Sequence, residues 1–445
     1  MLKLFSVLLL LPFVTNAQKN NSLLLDKYMQ GQEKVYEFSG DVLVTQKGKI
    51  IYKKAFGFAN REWHIPNTIE SKFRIGSITK QFTAAAIMQL ADNGKLSLED
   101  KLSNYFPDFP KGDSVTIHML LNHSSGIKDY TSLPNFRSLE PLSLSKDSIV
   151  ALFKNQPYNF RPGTQWSYSN AGYFLLGLII EKLSGLDYGS FLQQNIIGKA
   201  GLHNTAVDKT DTILANRAMG YTKTPAGWRT ANFTSMEFPY SAGAIFSTVD
   251  DMYQWNKALF GNKIMSAAMF SKMTTPYLNH YGYGIYIDSL LGRKSIRHNG
   301  GIAGFFNHGV YFPDEDVYII VLSNNGSESR GIANALSAIV FGSAVISPYT
   351  HKEIKIDSRE LDKYLGKYIT TDITANTSIE LIKKGDKLFR KTGMNEVEIF
   401  PESNTKFFFG PRTDIQINFI VDANNTVVRT EFIRSGFVSE LKKIQ

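Results

Sequence analysis

The chain of 445 residues contains no cysteine. That excludes disulfides, thiolate metal sites and a lipidated N-terminal cysteine, and it leaves core packing as the whole source of stability for an exported protein. Basic blocks are missing too. Lys and Arg total 49 against 40 Asp and Glu, an excess of nine that falls to eight without Lys3. The charges are scattered, so no nucleic-acid stripe is indicated and nucleic acid is not an expected partner. No repeat of 20 to 50 residues is apparent. The most apolar helical pattern, Tyr173 to Ile180, stops after eight residues at Glu181 and Lys182. It reads as a buried core helix, far short of a membrane span.

Two hydrolytic chemistries also lack their residues. None of the eight histidines falls in H-E-x-x-H, and His118 and His123 stand five apart with no thiolate nearby. No G-x-S-x-G elbow occurs. No metal and no other cofactor is expected.

With 43% apolar composition the chain can bury a large core and has room for two or three domains. Residues 1–17 read as a secretory signal: Lys3, an apolar run from Leu4 to Val14, then the small-residue exit Thr15-Asn16-Ala17. Cleavage after Ala17 predicts a periplasmic or extracellular protein, without a lipid anchor and without an integral membrane segment.

Residues 18–345 interleave helical patterns such as QFTAAAIMQLADNG with strand runs such as DVLVTQKGKIIYKK and GVYFPDEDVYIIVLSN. A hairpin at each end predicts one mostly antiparallel sheet flanked by helices, an α/β sandwich with a helical subdomain. Residues 346–356 read as a linker. From 357 to 445, short alternating runs parted by KKGD, TGMN, DANN and RSG predict a small antiparallel barrel.

Three stretches carry chemistry. GSITK places Ser77 and Lys80 three apart, on one face of a first helical turn, where free amides favour developing negative charge. Ser77 or Thr79 could equally cap that helix. YSN, Tyr168 to Asn170, can present a phenol and an amide, although Asn170 also suits an N-cap and Tyr168 a core. RHNGGIAGF, 297 to 305, sets glycines around His298, where a strand edge could offer an amide to an oxyanion; the plain alternative is a tight hairpin.

In order, the three stretches resemble the S-x-x-K, Y-x-N and K-T-G-like set of the serine β-lactamase and penicillin-binding-protein superfamily. Here they read Ser77 to Lys80, Tyr168 to Asn170, and His298-Asn299-Gly300. The likeness extends through FRIGSITKQFTAAAIMQL, LLNHSSGIKDY, RPGTQWSYSNAGYFLLGLIIEKLSG and SAGAIFSTVDDMYQW, over roughly residues 25 to 345, and is closest to the class C-related (peptidase S12-like) hydrolases. The 357–445 tail, opening LDKYLGKY, resembles their lipocalin-like C-terminal domain. A literal K-T-G at Lys391–Gly393 lies in that tail and reads as a hairpin turn.

The resemblance implies that Ser77 is an acylated nucleophile, Lys80 takes or relays its proton, and Tyr168 serves the leaving group. Asn170 would orient Lys80 and substrate, with His298, Asn299 and Gly300 also orienting, and the Ser77 and Gly301 amides would form the oxyanion hole. The implied substrate is a small molecule or peptide with an ester, amide or D-amino-acid peptide bond, peptidoglycan fragments included. Alternatives are a cell-wall D,D-carboxypeptidase or a β-lactamase, the latter disfavoured by His298 in place of Lys, and a non-catalytic binding protein that keeps the fold. Oligomeric state is not legible.

Overall fold

The computed structural model describes residues 13–370, 378–410 and 414–444, with side chains from Asn21 onward. Nearly all of the expected leader's apolar run thus lies outside the described residues. Contacts group the chain otherwise than in sequence order. One compact unit joins the N-terminal segment through Phe38 to Asn334–Gln445, and the other is Ser39–Ala333.

The Ser39–Ala333 unit opens with β1 (Gly40–Gln46) and β2 (Lys49–Phe56), joined by a tight turn in which Lys47 and Gly48 take φ of 50° and 71°. A separate hairpin follows later, β3 (Tyr221–Thr224) and β4 (Gly227–Thr230). The last strands are β5 (Tyr286–Leu290), β6 (Arg293–Ile302), β7 (Phe305–Phe312) and β8 (Val317–Ser323). All but the separate hairpin form one antiparallel sheet in the order β5-β6-β7-β8-β1-β2, with Val42 opposite Val321. The two ends of the region therefore meet at the sheet centre. Val42 to Val44 and Ile319 to Leu322 are completely buried, which accounts for apolar runs without alternation: both faces of these strands are covered.

Helices close the other side of the core. The N-terminal unit's helix is α1 (Phe13–Tyr36); here α2 (Thr79–Asp92) and α3 (Asn170–Ser184) lie at the centre, and α4 (Val249–Phe260) packs on β1 and β8. Helix α2 buries residues on all sides, from Lys80 to Leu90, so its alanines mark close packing rather than exposure. Trp255 of α4 stacks on Phe82 at 4.0 Å. Among the described residues no helix is long and apolar enough to cross a membrane.

The other unit contains a closed antiparallel barrel of eight strands paired in chain order, from Gly366–Thr370 to Phe437–Lys443. Tyr364, Tyr368, Phe407, Ile417 and Phe419 fill it. Residues 346–356 are tied to this barrel: Ile346 N donates to Gly436 O at 3.0 Å, and Ile354 N to Pro401 O at 2.9 Å. Helix α1 belongs here as well, with Leu25, Tyr28 and Met29 buried and the Tyr28 hydroxyl 3.3 Å from Ser435 O. The literal K-T-G ends a barrel hairpin, where Gly393 turns with φ 59° and Met394 is fully exposed.

Candidate active site

Ser77 stands on a single 3-10 turn, Gly76–Ile78, that runs directly into α2. Neither Ser77 nor Thr79 caps the helix: no side-chain cap bond is made at either boundary, and Thr79 Oγ1 instead accepts from Ile245 N at 3.1 Å. The turn supplies i+3 bonds to the amides that a cap would otherwise serve. Its shape depends on two glycines. Gly76 has φ 56°, and a Cβ on Gly300 would fall 1.8 Å from Ile75 O and 3.4 Å from Ser77 N. Strand β6 therefore presses backbone to backbone against the serine turn, which puts the amides of Ser77 and Gly301 in one neighbourhood.

Lys80, one helical turn on, is completely buried. Its Nζ donates to Ser77 Oγ at 3.1 Å, Asn170 Oδ1 at 2.8 Å and Ala242 O at 2.8 Å, which uses all three ammonium protons. The Tyr168 ring lies 4.8 Å away. Burial lowers the Lys80 pKa to about 7, against an opposing pull from the Asp129 carboxylate. A large fraction of the amine is thus neutral near pH 7 and can accept a proton from the serine.

Asn170 is placed by the start of α3, but as its first residue rather than its cap. Ser169 caps, accepting from Gly172 N at 3.3 Å. Asp129 accepts from the backbone of Asn170 and Ala171 at 3.1 and 3.3 Å, and from Asn170 Nδ2 at 3.2 Å. That last bond fixes the amide so that its oxygen faces Lys80. The Tyr168 hydroxyl is buried without a bond of good geometry, yet it faces Ser77 closely enough to lose part of the strong upward shift that burial imposes. Beneath it lies His123, its ring 4.4 Å from that of Tyr168 and its Nδ1 accepting from Ser169 N at 3.2 Å. His123 is held neutral by burial.

His298 is also neutral, with its pKa lowered to about 3, first by burial and then by Lys80. Nδ1 is 2.6 Å from Asn299 O, which can only accept, so that nitrogen holds the proton and Nε2 accepts from Tyr281 Oη at 3.0 Å. Asn299 Oδ1 engages His308 Nδ1 at 3.1 Å on the neighbouring strand.

A family model described as Beta-lactamase matches residues 25–340. The chain belongs to the Beta-lactamase family. It is 29% identical over 403 residues to penicillin-binding protein 4* of Bacillus subtilis (strain 168), covering 84% of this chain and 88% of that one. It is 26% identical over 322 residues to the teichoic acid D-alanine hydrolase of Staphylococcus aureus (strain MRSA252), covering 71% and 77%. Among solved structures, a penicillin binding protein from Bacillus halodurans superposes with a TM-score of 0.65 at 31% identity, over 70% of this chain and 98% of that one.

In this Beta-lactamase family member, Ser77, Asn170 and Gly301 line an open cleft of about 570 Å³. Lys80, Tyr168, His298 and Gly300 stand behind that surface, and Asn299 does not reach it. A recess of about 750 Å³ beside Lys146, Glu181 and Asp187 is larger but contains none of the signature residues. Sequence reading missed Asp129, His123 and Ala242 as parts of the site. Each lies inside a stretch that carries the resemblance, but nothing in residue type or spacing separates it from its neighbours.

Proposed function

We propose that this chain is an exported serine hydrolase that forms an acyl-enzyme on Ser77. The carrying observation is the 3.1 Å contact between the buried Lys80 and Ser77 Oγ at a cleft wall. Lys80 takes the hydroxyl proton as Oγ bonds to the substrate carbonyl carbon. The oxyanion is received by the Ser77 and Gly301 amides, each such donor contributing about 3 kcal/mol. The bond to the leaving group breaks, that group takes a proton by way of Tyr168, and water then releases the acid and restores Ser77.

The substrate class proposed is an ester, amide or D-amino-acid peptide bond, in keeping with a relative named as a D-alanine hydrolase. Neutral His298 argues against a β-lactam or D,D-carboxypeptidase specificity anchored by charge at that position. A fluorophosphonate probe should label Ser77 in the folded protein and spare Ser77→Ala. In a panel of 4-nitrophenyl esters, D-amino-acid amides, muropeptides and β-lactams, turnover should fall on the esters or D-amino-acid amides and be lost in Ser77→Ala. A folded chain that is neither labelled nor active on any of them would sink the reading. Export predicts a mature N-terminus at Gln18 in the periplasmic or culture fraction.

A further inference from the structure

Three charged side chains line the cleft, and two of them cancel. Arg137 Nη1 pairs with Glu140 Oε2 at 3.3 Å, and Glu140 Oε1 also accepts from Thr234 Oγ1 at 2.9 Å. The third, Arg229, is exposed, and no described residue hydrogen-bonds or ion-pairs with its guanidinium. Among the described residues that line the cleft, this guanidinium is the charge left without a partner; behind the wall His298 is neutral and Lys80 is engaged by Ser77, Asn170 and Ala242.

Its position is set by the hairpin. Thr222 and Arg229 are cross-strand partners and both line the cleft. The next pair, Lys223 and Trp228, faces the opposite way, where Arg61 lies 4.0 Å over the Trp228 ring. A one-residue slip would turn Arg229 out of the cleft, and the hairpin is secured against one. Tyr221 N donates to Asn324 O at 2.8 Å, Tyr221 Oη accepts from Arg61 N at 2.8 Å, and Ala231 N donates to Gly220 O at 2.9 Å. At its base, a Cβ on Gly220 would lie 2.1 Å from Ala303 O, in the turn just beyond Gly301. The cation is thus mounted on a braced ribbon beside the strand that supplies the oxyanion amide.

We propose that the substrate carries an anionic group, a carboxylate or a phosphate, and that Arg229 binds it while Ser77 attacks the carbonyl. This rests on the acyl-transfer reading of the cleft. It places the specificity that a cation at position 298 would have conferred on the hairpin, farther from the scissile bond. A planar guanidinium suits either oxyanion by paired hydrogen bonds.

The test uses matched esters on the full chain. On the leaving-group side these are 4-acetoxybenzamide, 4-acetoxybenzoate and 4-acetoxyphenyl phosphate; on the acyl side, 4-nitrophenyl acetate and mono-4-nitrophenyl succinate. In at least one set the anionic ester should exceed its neutral match in kcat/KM by about fivefold, as an exposed charge-assisted contact allows. That ratio should collapse in Arg229→Gln and recover in part in Arg229→Lys, and the favoured set identifies the anion and its side. Ratios near one in wild type, or a ratio that survives Arg229→Gln, overturn the proposal. A binding readout separates it from the hydrolase reading: titration of Ser77→Ala with the anionic product of the favoured set, 4-hydroxybenzoate, 4-hydroxyphenyl phosphate or succinate, should show binding that disappears when Arg229→Gln is added. Such binding without turnover of any ester would keep the anion site and retire the hydrolase reading. Turnover without binding or preference would do the reverse.

Discussion

Lys80 is a cation held where a cation is unfavourable, and every contact around it adjusts that imbalance. Burial removes its water, three acceptors at 2.8 to 3.1 Å replace part of what is lost, and Asp129 supplies a compensating charge. Since the neutral amine is the form that accepts the Ser77 proton, kcat/KM should rise with pH through an acidic limb near pH 7. Asp129→Asn removes the charge that raises the Lys80 pKa, so the limb should move to lower pH. The plateau should also fall, by about tenfold, because the bonds that hold Asn170 weaken. An Asp129→Asn profile whose limb stays in place or moves up would detach it from Lys80. The pairing of Ser77 with Lys80 was legible from spacing, since residues three apart on a helical turn share a face. Asp129 was not, because a carboxylate reaching a helix start from a loop 41 residues earlier leaves no periodic trace.

At the scale of elements, the sheet was legible where burial is two-sided. Unbroken apolar runs in β1 and β8 announce central strands, and the K-G turn announces the hairpin. The start of α2 was not: a capping pattern and a 3-10 entry use the same Ser and Thr, and only the path of the backbone separates them. Strand β1 also hides an anomaly. Asp41, flanked by Leu322 and Ala55, is fully buried with neither carboxyl oxygen hydrogen-bonded. Burial, with a smaller push from Asp250, raises its pKa well above the ordinary carboxyl value. The folded protein therefore keeps a proton that the unfolded chain releases, so this group's contribution to stability declines as pH rises above the unfolded value. Asp41→Asn keeps the shape and removes the titration. It should stabilise by about 1–2 kcal/mol at pH 8 and by less at pH 5, read as a pH-dependent gain in Tm. An equal effect at both pH values would show that Asp41 is ionised in the fold.

At the scale of the whole molecule, each of the two compact units has a core of its own, and their aromatic residues differ in kind. All four tryptophans, Trp63, Trp166, Trp228 and Trp255, lie in the Ser39–Ala333 unit, while the barrel is filled by tyrosine and phenylalanine. Tryptophan fluorescence consequently reports on the unit that contains Ser77 and is silent on the barrel, whereas far-ultraviolet circular dichroism reads helices and strands of both. A chain built from two separately packed cores need not unfold in one step, and coincidence of probes is the standard test of whether it does. In urea, the fluorescence curve should be a single sigmoid and the dichroism curve should be broader, with part of its amplitude outside the fluorescence transition. The fluorophosphonate adduct of Ser77 then supplies a marker inside the first unit: if its formation shifts the fluorescence midpoint, the remaining dichroism amplitude should stay where it was. Superimposable curves that move together would mean that the two cores melt as one cooperative body, and that a substitution in the barrel would reach the active site through shared stability.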